Sequence, residues 1–315
     1  RTWELSRRKS ISPHDSTGAN LIVQVKDHRV QRVVPLENEA VNECWIADRD
    51  RFSYEALSSP ERLTAPMIKQ EGRWLKVDWQ TALEYVASGL RDIADKQGAH
   101  TVGLLASPHS TVEELWLATQ LMHTLGSDNI DHRLRQAECA PTQGKVRWLG
   151  MPIAELSLLE RVLVVGSNLR KDHPLFAQRI RQAARRGAQV NAIVADAPDW
   201  AMPLHVVLQA DALNWTQALA DIAWAVVHEK GIQPPEGILG KASIGGNAEA
   251  LAIARSLLQG GGSKAILLGN AAAHHEQASS LLALVQWIAQ HTGAHFGYLT
   301  EAANTVGAQC VGAWP

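Results

Sequence analysis

The spacing of apolar residues changes near residue 60. Before that point the runs LIVQV at 21–25 and RVQRVV at 29–34 are β-branched, with Lys26, Asp27 and His28 between them. This pattern predicts a hairpin inside a small β-rich unit. After it, helical and strand-like stretches alternate. Trp79, Ala82, Leu83, Val86, Leu90 and Ile93 recur at helical spacing behind a capping Asp78, and Gly98 stops the run. TVGLLA at 101–106 predicts a buried strand. Thr111 then caps a helix carrying Leu115, Trp116, Leu121 and Leu125 and ending at Gly126, and a short strand follows at 129–131. RVLVVGSN at 161–168, a helix over 174–186 stopped by Gly187, and AQVNAIVA at 188–195 make a βαβ unit. Beyond it lie a strand at 204–209, a helix at 213–230, a Gly- and Pro-rich loop at 231–246, a helix at 248–258, the strand SKAILLGN at 263–270 and a last helix at 281–291. The alternation predicts an α/β, doubly wound, mostly parallel sheet with right-handed crossovers.

The chain has 315 residues, 46% hydrophobic and 20% charged, enough for one large or two medium domains with an ample core. A net charge of −2 gives no electrostatic case for nucleic acid. Cys44, Cys139 and Cys310 are isolated, which fits a reducing compartment and no disulfide framework. No apolar run approaches the roughly 20 residues of a membrane span, and no signal peptide is expected. The first residue is not Met and the chain stops at GAWP, so a fragment of a longer polypeptide is expected. Eleven Trp against three Phe and three Tyr are expected to fill the core or interfaces. The basic stretch Arg7, Arg8 and Lys9 reads as solvated. The alternating charges of Asp48, Arg49, Asp50 and Arg51 read as local ion pairs.

Four stretches carry a resemblance: RVVPLENEAVNECWIADRDRFSYEAL at 32–57, RLTAPM at 62–67, DWQTALEYVA at 78–87 and VVGSNLRKDHPLFAQRIRQA at 164–183. They resemble the molybdopterin oxidoreductase superfamily, and within it the family of the large "G" subunit of bacterial NADH:quinone oxidoreductase, respiratory complex I. The resemblance implies two domains. Residues 1–60 would be a small domain of the 4Fe–4S type, and residues 61–315 a truncated α/β region like domains 1–3 of formate dehydrogenase and DMSO reductase. In that family the small domain folds a Cys-x2-Cys-x3-Cys site and adds a fourth Cys just before a Gly/Asp-Arg-Phe run. The corresponding positions here are Ser12, Asp15, Ala19 and Ala47, with gaps of two, three and 27 residues. Thiolates at these gaps could hold a [4Fe–4S] cluster. None of the four is Cys, so thiolate ligation is excluded by residue type. His14 and Asp15 read as a hydrogen-bonded pair or a turn, not a mononuclear metal site.

The family resemblance also places Gly166, Ser167, Asn168 and His173, together with the second strand end Gly269–Asn270, against a pterin guanine dinucleotide. The plainer alternative is a tight strand-to-helix turn kept by inherited fold geometry. Cys139 lies in a segment similar to the one that supplies a molybdenum ligand in formate dehydrogenases. Its spacing from Asp131 and His132 is longer than in those enzymes, and Ala-Pro follows it. A small buried thiol is the competing reading. The adjacent His274 and His275 do not make the i,i+4 pair of a zinc helix, and His109, His123 and His132 add no such pair. No phosphate loop, nucleophile elbow or kinase signature occurs.

Three functions follow as expectations. The first is a non-catalytic scaffold within the large peripheral-arm subunit of NADH:quinone oxidoreductase. It would bind no cofactor itself, while 2Fe–2S and 4Fe–4S clusters sit on a ferredoxin-like region upstream. Its partners would be other arm subunits, including the NADH/flavin-binding one, on the cytoplasmic face. The second is a working molybdopterin-dependent oxidoreductase of formate dehydrogenase type with Cys139 as metal ligand. The third is a guanine-nucleotide-binding α/β module.

Overall fold

The computed structural model describes residues 2–135, 138, 146–234 and 247–315. Cys139 and most of the 231–246 loop lie outside them. The chain opens with β1 (Ser6–Ile11), β2 (Asn20–Lys26) and β3 (Arg29–Pro35), an antiparallel sheet in the order β1-β2-β3. The predicted hairpin joins β2 to β3 through Asp27 and His28, whose φ values of 50° and 60° match the twist of a two-residue turn. β1 was not foreseen. Its Arg7, Arg8 and Lys9 are solvated as expected, yet they form a strand. After α1 (Asp48–Phe52) comes an unpredicted hairpin, β4 (Met67–Gln70) and β5 (Arg73–Lys76), turning on Glu71 and Gly72 with φ values of 48° and 81°.

Helix α2 (Trp79–Gln97) has the predicted caps: the Asp78 carboxylate accepts from the Thr81 N–H, and Gly98 ends it. Its apolar stripe is largely uncovered, though Leu90 packs against the cluster of Val102, Leu115 and Met122. No residue of α2 is buried, and Trp79 is 70% exposed. The predicted strand at 101–106 shrinks to β6 (Leu104–Leu105), of which Leu105 is exposed. Helix α3 (Val112–Leu125) carries a complete capping box between Thr111 and Glu114. It buries Leu115, Thr119 and Met122, whereas Trp116 and Leu121 face outward. Its spacing is helical, but the buried stripe lies on a neighbouring side. β7 (Ile130–Asp131) pairs in parallel with β6.

The larger sheet follows in chain order as β8 (Arg161–Val165), α4 (Leu169–Asp172), α5 (Pro174–Arg185), β9 (Gln189–Val194), β10 (Val206–Gln209), α6 (Trp215–Lys230), α7 (Ala248–Leu258), β11 (Lys264–Leu268), α8 (Asn270–Ala273), α9 (Ala278–Thr292), β12 (His295–Tyr298) and α10 (Thr305–Cys310). β12 and α10 lie beyond the last element predicted. Among the described residues five strands line up in parallel as β10-β9-β8-β11-β12. Leu163, Val165, Ile193, Ile266 and Leu268 face α6, α7 and α9. Val162, Val164, Ala192, Ala265 and Leu267 face Phe176 and Ile180 of α5. Burial on both faces explains why these strands read as continuous apolar runs. The doubly wound α/β expectation therefore holds. Of the tryptophans, Trp200 and Trp215 are buried in the core, while Trp3, Trp45, Trp74, Trp79, Trp116, Trp148 and Trp224 are exposed on this chain.

Candidate functional site

Ser12, Asp15 and Ala19 lie on the loop from β1 to β2, and Ala47 immediately precedes α1. The structure buries all four, at 3%, 0%, 0% and 4% exposure. The loop closes on itself through the Ser12 N–H and the Ala19 carbonyl at 2.8 Å. Asp15 makes a turn, its Oδ1 accepting from the Thr17 N–H at 3.0 Å. The Ala47 carbonyl accepts from the N–H groups of Asp50 and Arg51, starting α1. Asp50 then reaches across, accepting the Ser12 hydroxyl at 2.6 Å. Ala19, Leu21, Val33, Ile46 and Leu175 form the apolar backing, drawn from the β1–β2 loop, β2, β3, the segment before α1 and the first turn of α5.

The charge run at 48–51 is thus only in part a set of local ion pairs. Asp48 and Arg51 make one exposed contact at 4.0 Å. Asp50 is buried, and Arg49 Nη2 donates to the carbonyls of Lys171 (2.6 Å) and Asp172 (3.1 Å) on the α/β unit. The helix start at Asp48 decides this, because it turns position 50 inward. Burial pushes the Asp50 carboxyl above its usual range. The Ser12 hydroxyl opposes that, and the nearby Asp15 adds to it. A carboxyl raised in the folded state binds protons more tightly there than when unfolded. Its ionisation costs stability as pH rises through the folded pKa, and the cost disappears on acidification. Asp50→Asn keeps the acceptor for Ser12. It is expected to raise Tm at pH 8 and to lose that advantage towards pH 4, in thermal unfolding followed across that range. An equal effect at both ends would sink this reading.

The second constellation lies beyond the carboxyl ends of β8 and β11, where the strand order reverses. Ligands of open α/β sheets sit at such a point. A cleft of about 520 Å³ opens there, lined among others by Gly166, Ser167, Asn168, Asp196, Trp200 and Asn270, with His14 and Arg49 from the small unit. The two strand ends nearly touch: a Cβ on Gly269 would stand 2.3 Å from the Ser167 Cβ. His173 ties them together. It is fully buried, and its Nε2 lies 3.2 Å from Asn270 Oδ1. Burial holds its pKa below the usual value, so the ring is neutral. Gly166 has φ +63°, and a Cβ there would meet Trp215 at 2.6 Å and the Ala272 nitrogen at 2.8 Å. Gly166→Ala is expected to cost about 2 kcal/mol or more, from left-handed strain and overpacking together. Thermal unfolding with Trp fluorescence measures it, and an unchanged Tm would contradict the packing described.

The donor sets can be tested against the cofactors the sequence suggests. Around the four cradle positions the polar groups are hydroxyls and carboxylates, which do not fit an iron–sulfur cluster held by thiolates. At the end of β8, Asp172 Oδ2 accepts from the Asn168 N–H (2.9 Å) and the Ser167 hydroxyl (3.3 Å). The chain's own carboxylate thus occupies two donors at this strand end. Asp50, Arg49 and Asp172 were missed as site residues in the sequence. Each sits in a charged run with no apolar periodicity to orient it. Among the described residues, no three His, Cys, Asp or Glu side chains gather closely enough to hold a metal ion. His132 and His275 are engaged by the carbonyls of Ala313 and Ala212.

A five-stranded parallel sheet with a cleft at its reversal point, preceded by a small antiparallel sheet, defines a molybdopterin-enzyme type of architecture. Residues 62–202 match the family model "Molybdopterin oxidoreductase". Residues 5–55 match "NADH-ubiquinone oxidoreductase NDSU1/NuoG-like, 4Fe-4S domain". The chain is 31% identical over 188 residues to the G subunit of NADH-quinone oxidoreductase from Rickettsia felis, covering 60% of this chain and 27% of that protein. It is 30% identical over 187 residues to the alpha subunit of the F420-dependent formate dehydrogenase of Methanocaldococcus jannaschii, covering 58% and 27%. The chain thus spans about a quarter (27%) of the length of these curated relatives. Acetylene hydratase from Pelobacter acetylenicus superposes with a TM-score of 0.69 at 13% identity, over 91% of this chain and 43% of that one, which shows a shared fold. No described helix is long and apolar enough to cross a membrane.

Proposed function

We propose that this chain is a non-catalytic, structural part of a large peripheral-arm subunit of NADH:quinone oxidoreductase. The observation that carries this reading is the buried cradle of Ser12, Asp15, Ala19 and Ala47, which offers no thiolate. Its role is to brace clusters borne by a ferredoxin-like region, of 2Fe–2S and 4Fe–4S type, and to pack against other arm subunits, including the NADH/flavin-binding one, at the cytoplasmic face. On this reading residues 1–60 are the vacated cluster domain and 61–315 the α/β region. The strand-end residues Gly166, Ser167, Asn168, His173, Gly269 and Asn270 are then the turn chemistry of a former nucleotide crevice. The fit of the small unit on α4 and α5 supports the rigidity a brace needs, since Arg49 and Arg179 both span that junction. Elemental analysis of purified protein should find no stoichiometric Fe, Mo or W. Deleting the region from the assembled complex should impair assembly while leaving every EPR-visible cluster of the remaining subunits intact.

A molybdopterin-dependent oxidoreductase of formate dehydrogenase type is the rival, favoured by the retained cleft of about 520 Å³. It requires Cys139 as metal ligand and predicts one molybdenum per chain, a result that would overturn the scaffold reading. A guanine-nucleotide module predicts a rise in Tm with GMP or GTP. The internal Asp172 contact weighs against it.

A further inference from the structure

The N-terminal sheet has an uncovered side. β1 is its outermost strand, and all six of its residues are exposed. One edge of β1 therefore presents backbone N–H and C=O groups without a ladder partner among the described residues. The strand reads Ser-Arg-Arg-Lys-Ser-Ile. Among the described residues no acidic side chain pairs with Arg7, Arg8 or Lys9. Residues 1–35 hold seven basic and three acidic side chains in a chain whose net charge is −2. Of the three acids, Asp15 is buried and Glu4 already pairs with Lys26 at 2.7 Å. Successive side chains of a strand alternate between faces, so Arg8 stands on one side of the edge and Arg7 and Lys9 on the other.

We infer that β1 is a docking edge for an acidic, extended segment of a partner protein, which adds to the sheet as a fourth strand. Main-chain hydrogen bonds supply the affinity in such additions, and flanking side chains supply the selection. Carboxylates on either face of the incoming strand would meet a cation. A second copy of this chain does not fit. Antiparallel pairing of β1 with itself sets Arg7, Arg8 and Lys9 against one another, and like charges placed opposite are destabilising. Basic residues commonly keep an edge from pairing at random. Here the same charges exclude copies of the chain and admit an acidic strand. The inference goes beyond the scaffold reading and stands without it.

The test uses the whole chain and a peptide alternating glutamate with valine, with a proline-interrupted peptide of equal charge as control. Binding is followed by fluorescence anisotropy at about 25 and 250 mM salt, across which charge screening changes strongly. Hydrogen exchange reads the amides of residues 6–11. The alternating peptide is expected to bind, to slow exchange in β1 and to weaken at the higher salt. The R7Q/R8Q/K9Q variant is expected to lose about tenfold in affinity with unchanged Tm. Equal binding of the interrupted peptide would overturn the inference, because charge alone would then suffice. So would unaltered exchange at 6–11, or equally tight binding of phosphatidylserine vesicles or duplex DNA.

Discussion

Arg179→Ala is expected to cost about 3 kcal/mol of stability and to loosen the small N-terminal unit from the α/β sheet. Arg179 is 5% exposed on α5. Its Nη2 donates to the carbonyls of Glu39 (2.6 Å) and Val41 (3.1 Å), and its Nη1 lies 3.5 Å from Glu43 Oε1. Gln182 Nε2 donates to the same carboxylate at 3.0 Å. Truncation would strand two carbonyls and leave Glu43 with only the amide, and such orphaned groups cost more than the bond itself was worth. Urea unfolding measures the loss, and limited proteolysis reads the loosening as faster release of residues 1–60. Arg170 provides the contrast. It pairs with Asp199 at 2.7 Å, but the two side chains are 53% and 87% exposed. Arg170→Ala should change stability by no more than about 0.5 kcal/mol. If the two variants behave alike, the buried arginine is not what holds the junction.

The quadruple variant S12C/D15C/A19C/A47C is expected to take up about four irons per chain on anaerobic reconstitution, the content of a Cys₄-held [4Fe–4S] cluster. The four positions share one buried cradle, tied by the Ser12–Ala19 backbone bond and by the Asp50 bridge between the loop and α1. Replacing Ser12 removes the hydroxyl that Asp50 accepts, so the same four changes on an Asp50→Asn background spare the fold an uncompensated buried carboxylate. Iron content after desalting and an EPR signal on reduction report the outcome. Retention of no iron in both backgrounds would mean that the cradle has lost the geometry of a cluster site. The three-cysteine variant that leaves Ala47 in place is expected to hold iron only substoichiometrically.

Much of the architecture is legible in the chain because local chemistry and packing agree. Asp78 and Thr111 cap the helices they were expected to cap, and the β-branched runs at 162–165 and 190–194 are strands. The hairpin at 26–29 follows from its turn residues. Difficulty arises where an element's outward appearance carries no packing signal. β1 is a strand made of Arg, Lys and Ser, held by the ladder to β2 and not by buried side chains. The stripe on α2 has the right spacing for a buried face, yet none of its residues is fully buried by the described residues, and Leu90 is only partly covered. Periodicity reports that a helix is amphipathic but not what lies against it.

The candidate site divides along the same line. Residue types alone determined that Ser12, Asp15, Ala19 and Ala47 carry no thiolate, and that Gly-Ser-Asn and Gly-Asn end two strands of a doubly wound sheet. His291 and His295 do stand four apart, but Gly293 ends α9 between them. Only the tertiary structure decided that Asp50 turns inward onto Ser12, that Asp172 occupies the donors beside Asn168, and that His173 joins two strand ends distant in sequence. The reason is physical. A residue's chemistry is local and can be read from its name, whereas hydrogen-bond partners and burial are set by neighbours brought together through chain crossings. Asp48 and Asp50 are both aspartates within one short helix, yet the first is solvated and the second lies buried in the cradle.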